Sequence, residues 1–480
     1  MTQYRSVAQP DAIVIGSGPN GLAAAIALAQ AGWKVTVFEA ERTIGGGARS
    51  AELTLPGFVH DVCSAVHATA VASPFFRTLP LAKYGVEWIE PPAMLAHPFD
   101  DGTAAVVERS VDATATGLGR DRASYTRLFG GLVRAWPRLE SSVLGPLRWP
   151  RHPLAMAGFG LRALRSANAF ARSTFAEEPT RALFGGIAAH GMLPLDRPPT
   201  AGFGLVLGAM AHIVGWVIPR GGAQKVTDAL VAHLRALGGE VVADHRVASL
   251  DELPPARAVL CDLSPRPFLR IAGSRLPVAY RRSLERYRYG MGVFKVDWAL
   301  DGPIPWRAAA CARASTVHIC GTMAELNRSE NDAWAGVVSE RPFVLLVQPS
   351  LFDVSRAPAG KQTAWAYCHV PAGSNVDMLP RIEAQIERFA PGFRDRILAR
   401  AVASPADVEA RNANFVGGDI GSGVCDLPQF FTRPTWRTYS TPLRGVYLCS
   451  AATPPGVGVH GMCGYFAAQR ALADADCGRR

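Results

Sequence analysis

Ala12-Ile13-Val14-Ile15-Gly16-Ser17-Gly18-Pro19-Asn20-Gly21 sets a short β-branched run directly against a glycine-rich turn. Four apolar residues flanked by polar ones predict a strand of a parallel sheet covered on both faces. Leu22–Ala31 is rich in alanine and leucine and predicts a helix stopped by Gly32. Val35–Phe38 follows as a second strand, with Glu39 at its carboxyl end. Strand, glycine turn, helix, strand and terminal acid in this order define a dinucleotide-binding unit, whereas a glycine turn alone would not. Gly16 permits the tight turn, Gly18 lets a pyrophosphate approach the backbone, and Gly21 lets the helix close on the strand. Pro19 and Asn20 open the helix, whose free N–H groups and positive dipole end favour a diphosphate. Glu39, followed by Ala40, offers acceptors to both hydroxyls of an adenosine ribose. Its charge repels a ribose phosphate, so FAD or NAD fits better than NADP.

Totals and patterning narrow the class. A chain of 480 residues exceeds what one core supports, so at least two packed regions are expected. The formal charge is +10, and all but five of the 50 cationic residues are arginines dispersed along the chain. That dispersal excludes a nucleic-acid footprint but suits contact with an anionic lipid surface. The nine cysteines form no CxxC pair. With Cys311, His318 and Cys320 lacking a second ligand pair, no metal site is expected. No secretory leader is evident, which points to a cytoplasmic protein in contact with membrane at most peripherally.

Further along, residues 75–214 turn to proline breaks, arginines and long apolar stretches. Ala201–Pro219 carries no charge, but four glycines, His212 and the closing proline predict a buried helix rather than a membrane span. Leu154–Phe175 reads as one amphipathic helix carrying Arg162, Arg165 and Arg172. Gly221–Leu237, Met378–Phe389 and Gly461–Ala473 predict helices. Glu240–Val242, Val259–Cys261, Gly292–Leu300, Phe343–Val347 and Gly445–Cys449 predict strands. The fold class is therefore α/β, a Rossmann-type nucleotide domain with an inserted α+β region. Residues 1–75, 215–275 and 435–480 would form a discontinuous nucleotide domain, and 76–214 with 276–434 the substrate region.

A second glycine loop selects between dinucleotides. Gly45-Gly46-Gly47-Ala48-Arg49 follows Glu39 closely and resembles the loop of GG-loop flavoproteins, the superfamily of monoamine oxidases and phytoene desaturases. The resemblance implies that Gly46, Gly47, Ala48 and Arg49 run along the FAD diphosphate. Leu55–His67 resembles the segment that phytoene-desaturase-like proteins place against the flavin, which adds Ser64. Trp216–Gly222 resembles their return into the nucleotide domain, and Val247 corresponds to the backbone contact with adenine. Leu443–Cys449 and Val459-His460-Gly461-Met462 resemble their carboxyl-terminal flavin segment, which adds Ala451, Val459, Gly461 and Met462. Nearly the whole chain is covered, and the nearest kin are phytoene-dehydrogenase-like and carotenoid-isomerase-related oxidoreductases.

That resemblance implies noncovalent FAD and hydride transfer between flavin and an apolar polyene, isoprenoid or lipid-like substrate, in desaturation, saturation or isomerisation. An FAD-dependent amine oxidase would share the frame but need an aromatic cage where Pro454-Pro455-Gly456 stands. A flavin-binding structural or assembly protein without turnover is the reading from another class. Lys295, inside the apolar strand Gly292–Leu300, resembles the amine-oxidase lysine that holds a water beside the flavin. A salt bridge to Asp297, two residues on and on the same face, is its structural alternative. His67 and His460 are the other candidates beside the ring. No second strand–glycine–helix unit is present, so electrons are expected to pass to oxygen or a quinone rather than come from NAD(P)H. A homodimer is compatible with the sequence.

Overall fold

The structure, a computed structural model, describes residues 9–477 apart from the side chain of Ser274; the outermost ends of the expected domain division, residues 1–8 and 478–480, lie outside it. Ala12–Ile15 sits at the centre of a five-stranded sheet, flanked by Val35–Phe38 and Ala258–Cys261 in parallel register, with Glu240–Val242 and Val446–Leu448 at the edges. Every residue of the two leading strands is buried, as a sheet covered on both faces requires. One face receives helices Pro19–Gln30, Gln224–Ala236 and Met462–Cys477. Phe268, Leu276, Tyr280 and Leu284 close the other.

Two of these helices touch at backbone distance, because Gly464 has no side chain. A Cβ there would lie 1.8 Å from the Asn20 carbonyl oxygen. The carboxyl-terminal helix is thereby seated against the start of the glycine-turn helix, although their sequences lie at opposite ends of the chain.

Beside this unit stands a seven-stranded sheet in the order Ile397–Ala403, Gly292–Leu300, Gln362–Val370, Val344–Val347, Ala314–Ile319, Ala93–Pro98, Ala104–Val107. All its pairings are antiparallel except that between Ala93–Pro98 and Ala314–Ile319. Helices between Val111 and Ile213 cover one face, and Leu379–Phe389 packs on the other. The molecule is thus α/β, a parallel nucleotide sheet joined to a mixed sheet with a helical layer.

One expected helix is two. Leu154–Phe175 divides into Pro153–Ala163 and Ala167–Thr174, because Ser166 adopts extended backbone and its hydroxyl accepts from the Ala169 N–H as an N-cap. The uncharged stretch after Ala201 forms helix Thr200–Ile213 and then the short strand Ile218–Pro219, which pairs with Trp88–Ile89. Among the described residues no helix is long and apolar enough to cross a membrane.

Candidate cofactor and substrate site

The glycine turn is built as its spacing requires. Gly16 has φ +102°, and a Cβ at Gly21 would lie 2.1 Å from the Gly16 carbonyl oxygen. The helix beginning at Pro19 has no side-chain cap at Gly18, so its amino end is available to an anion. The second loop closes over the first: Gly46, with φ +56°, would place a Cβ 3.0 Å from the Gly18 Cα. Gln224 and Thr227 fasten this loop by donating to the carbonyls of Ile44 and Ala48.

Glu39 is 8 % exposed, and its carboxylate is already engaged. The Ser17 N–H and Oγ–H donate to Oε2 at 2.8 and 2.6 Å, and the Glu41 N–H donates to Oε1 at 2.9 Å. Ser17 Oγ in turn accepts from the Gly45 N–H at 3.1 Å. A carboxylate accepts roughly four hydrogen bonds, so Oε1 keeps the remaining capacity for a ribose hydroxyl. Beside the ribose role expected of it, Glu39 has a second one that its sequence context does not announce: through Ser17 it joins the two glycine loops.

Asp262, at the end of Ala258–Cys261, was also missed. Its Oδ2 accepts from the Gly21 N–H at 3.0 Å, and a Cβ on Gly18 would come within 2.6 Å of the same oxygen. Burial, with the charge of Glu39 adding to it, pushes the Asp262 carboxyl up to about 7. The Gly21 N–H opposes that rise. A carboxyl raised this far carries less negative charge than an ordinary aspartate, which eases the approach of an anion to the same helix end.

These loops line one end of a continuous cavity of about 650 Å³. Gly16, Gly18, Pro19, Asn20, Glu39, Ala40, Gly46, Gly47, Ala48, Arg49, Ser64, Val247, Ala451 and Val459 face it. Gly21, Gly461 and Met462 stand behind the wall. At Gly461, φ is +67° and a Cβ would lie 2.4 Å from Phe76, so this glycine serves close packing. Arg49 reaches the cavity, but its Nε donates to the Gly46 carbonyl and its Nη2 to that of Arg411, each at 2.8 Å. It therefore braces the loop, with its remaining donors left for a phosphate.

The three residues expected beside the ring lie off the main cavity. Lys295 donates to both oxygens of Asp297 and stands 5.1 Å above the Trp365 ring. It borders a small side pocket with Cys63 and Tyr367. This is the salt-bridge alternative, and His60 Nδ1 approaches the same carboxylate at 3.5 Å. His67 is buried beside Trp88, and burial holds its imidazole down to about 4. His460 accepts from the Met462 N–H through Nδ1 at 3.0 Å and so caps the carboxyl-terminal helix; burial lowers it to about 4 as well.

The far end of the cavity is lined by His190, Leu207, Trp216, Thr316, Leu345, Val347, Trp365 and Tyr367. Trp365 and Tyr367 point the same way from Gln362–Val370 and stack at 5.8 Å with 15° between their planes. His190 is backed by His318, Nε2 to Nε2 at 3.1 Å. Burial first, then the neighbouring His369, lowers His190 to about 3, so both rings are neutral near pH 7. His190 escaped the sequence reading because nothing around it forms a motif.

An FAD fits the residues present. The glycine loops make an anion cradle, and two buried polar atoms of residues that line the cavity, Asn20 Oδ1 and Ser64 Oγ, have no hydrogen-bond partner among the described residues. A dinucleotide cradle opening into an apolar chamber has room for a substrate beside the nucleotide. Comparison with known proteins agrees. Residues 14–79 match the family described as an NAD(P)-binding Rossmann-like domain. Pyridine nucleotide-disulfide oxidoreductase domain-containing protein 2 of Rattus norvegicus is 26% identical over 97% of this chain and 93% of its own length. Phytoene dehydrogenase of Streptomyces griseus is 26% identical over 81% of this chain and 77% of its own. Among solved structures, putrescine oxidase bound to putrescine superposes with a TM-score of 0.62 at 18% identity, covering 98% of this chain and 99% of that one. These similarities indicate an oxidoreductase carrying an NAD(P)-binding Rossmann-like unit, similar in sequence to phytoene dehydrogenase and in fold to putrescine oxidase.

Proposed function

We propose that the protein binds FAD noncovalently along the cavity and transfers hydride between that flavin and an apolar substrate of polyene, isoprenoid or lipid-like character. The lining of the far chamber carries this reading. Leu207, Trp216, Leu345, Val347 and Trp365 dominate it, and among the described residues no carboxylate or primary amine faces it. A cationic substrate would leave its charge uncompensated there, at a cost of several kcal/mol. Bound flavin supplies the hydride chemistry, while the chain orients the substrate and excludes water. Burial raises the Cys63 thiol to about 11, which keeps it a thiol and supports noncovalent attachment. Electrons would leave to oxygen, a quinone or a second substrate rather than come from NAD(P)H, a reading supported by the single strand–glycine–helix turn in the sequence.

Oxidation of a neutral amine is the second reading, favoured by the stacked Trp365–Tyr367 pair beside Lys295. The test is anaerobic. The purified yellow protein is mixed in turn with polyene or prenyl lipids and with aliphatic amines, and its lipid extract is identified by mass spectrometry. Bleaching by an apolar lipid and co-purification of one are expected. Bleaching by amines alone would establish the second reading, and no bleaching by either would point to a flavin-bound protein without turnover.

A further inference from the structure

Between Glu140 and Glu177 the chain runs 36 residues without an acid while carrying Arg148, Arg151, Arg162, Arg165 and Arg172. Within it, Leu147–Arg165 contains no Ser, Thr, Asn, Gln, Asp, Glu or Tyr. The structure turns the apolar side chains of this stretch outward: Trp149 is 87 % exposed, Leu154 88 % and Leu161 79 %, with Leu147 and Leu164 also exposed. Leu154 and Leu161 lie seven residues apart on the outer face of Pro153–Ala163, and Leu164 follows at its carboxyl end. Phe159 and Ala163 hold the inner face in the helical core. The segment is therefore anchored, and its leucines are not a loose tail.

We infer that the face formed by Trp149, Leu154, Leu161 and Leu164 with Arg148, Arg151 and Arg162 docks the protein on an anionic phospholipid surface. Apolar side chains of this size displayed together are rare on a monomer unless something covers them. Leucines flanked by arginines, with a tryptophan at the edge, match the depth and charge of a lipid interface. Arg148, Arg151, Arg162 and Arg165 form no ion pair with an acid among the described residues, so their charge remains available to lipid phosphates. A second copy of the chain suits this face poorly, since it would bring two sets of arginines together with no acid between them.

Docking here would also bear on access to the cavity. The segment packs on helix Thr200–Ile213, where a Cβ on Gly202 would lie 3.5 Å from that of Ala163. The same helix supplies Leu207 to the far chamber. One helix thus separates the proposed lipid face from the chamber.

The test uses the flavin-loaded full chain and sedimented vesicles of phosphatidylcholine with and without phosphatidylglycerol. The wild-type protein should pellet with the anionic vesicles and be released by high salt. Leu154→Glu with Leu161→Glu should lower the partition at least about tenfold with flavin content unchanged, because both side chains are already in solvent. Replacing Arg148, Arg151 and Arg162 with Gln should abolish the preference for the anionic vesicles. Wild-type protein that stays in the supernatant, or a double-Glu variant that pellets like wild type, overturns the inference. So does a double-Glu variant that only converts a dimer to a monomer in light scattering. None of these outcomes touches the flavin reading, which rests on other residues.

Discussion

Replacing Lys295 with methionine breaks a deeply buried ion pair beside the side pocket. The Lys295 and Asp297 side chains are 5 % and 2 % exposed, and the ammonium donates to both carboxylate oxygens. Methionine keeps the length and packing on Trp365 but leaves Asp297 without its cation. His60 at 3.5 Å is a weak substitute: in the wild type burial first, then Lys295 and Arg356, holds its imidazole down to about 3, and burial and Arg356 remain when Lys295 is gone. Breaking a buried pair on one side costs about 3–5 kcal/mol, whereas replacing both partners with apolar groups is often close to neutral. Lys295→Met should therefore destabilise the holoprotein by about 3–5 kcal/mol, and Lys295→Met with Asp297→Leu should return to within about 1 kcal/mol of wild type. Denaturant unfolding, followed by tryptophan fluorescence at fixed FAD, gives both values. Flavin should stay bound in the single variant, because the Lys295 ammonium is spent on Asp297 and makes no hydrogen bond to the glycine loops that also border its side pocket. A single variant within about 1 kcal/mol of wild type, or a double variant no more stable than the single, would refute the assignment.

Other expectations come from the nucleotide end. Asp262 has its carboxyl raised from 3.8 to about 7, so folding disfavours its ionised form. That penalty is absent below the unfolded value, grows as pH rises, and is complete above about pH 7. Asp262→Asn should then stabilise the protein by about 4 kcal/mol near pH 8 and by only about 2 near pH 5.5; a gain independent of pH would rule this out. Gly18→Ala sets a methyl 2.6 Å from Asp262 Oδ2 and should yield folded protein depleted of flavin, read from the ratio of visible to protein absorbance. Ser17→Ala removes the link between Glu39 and the Gly45 loop and should weaken FAD binding by about tenfold in fluorescence titration, the effect of roughly one charged hydrogen bond. Replacing His190 with Phe should leave flavin content unchanged but alter bleaching by substrate, since His190 faces only the far chamber.

How much of this could be read from the sequence depended on how local the cause was. The strand Ala12–Ile15, the turn at Gly16 and the helix after it are fixed by neighbours in the chain, and all three stand where the spacing puts them. The Lys295–Asp297 pair was legible for the same reason, because residues i and i+2 of a strand share a face. Asp262 accepts from the Gly21 N–H across 241 residues of sequence, and no pattern around Asp262 announces it. His190 and His318 meet only because a helix and a strand of different segments pack together. Strands Gln362–Val370 and Ala314–Ile319 escaped because burial on both faces removes the alternation that marks a strand. The break before Ala167 was available in principle: Ser166 is an ordinary N-cap signal, overridden in the reading by the apolar residues around it.

The flavin itself is the most direct test of the account. Protein purified without added cofactor, denatured by heat and clarified, should release one FAD per chain into the supernatant, with none left on the pellet. Release of NAD or NADP instead, flavin that stays with the precipitated protein, or a colourless protein that fails to take up FAD would contradict it.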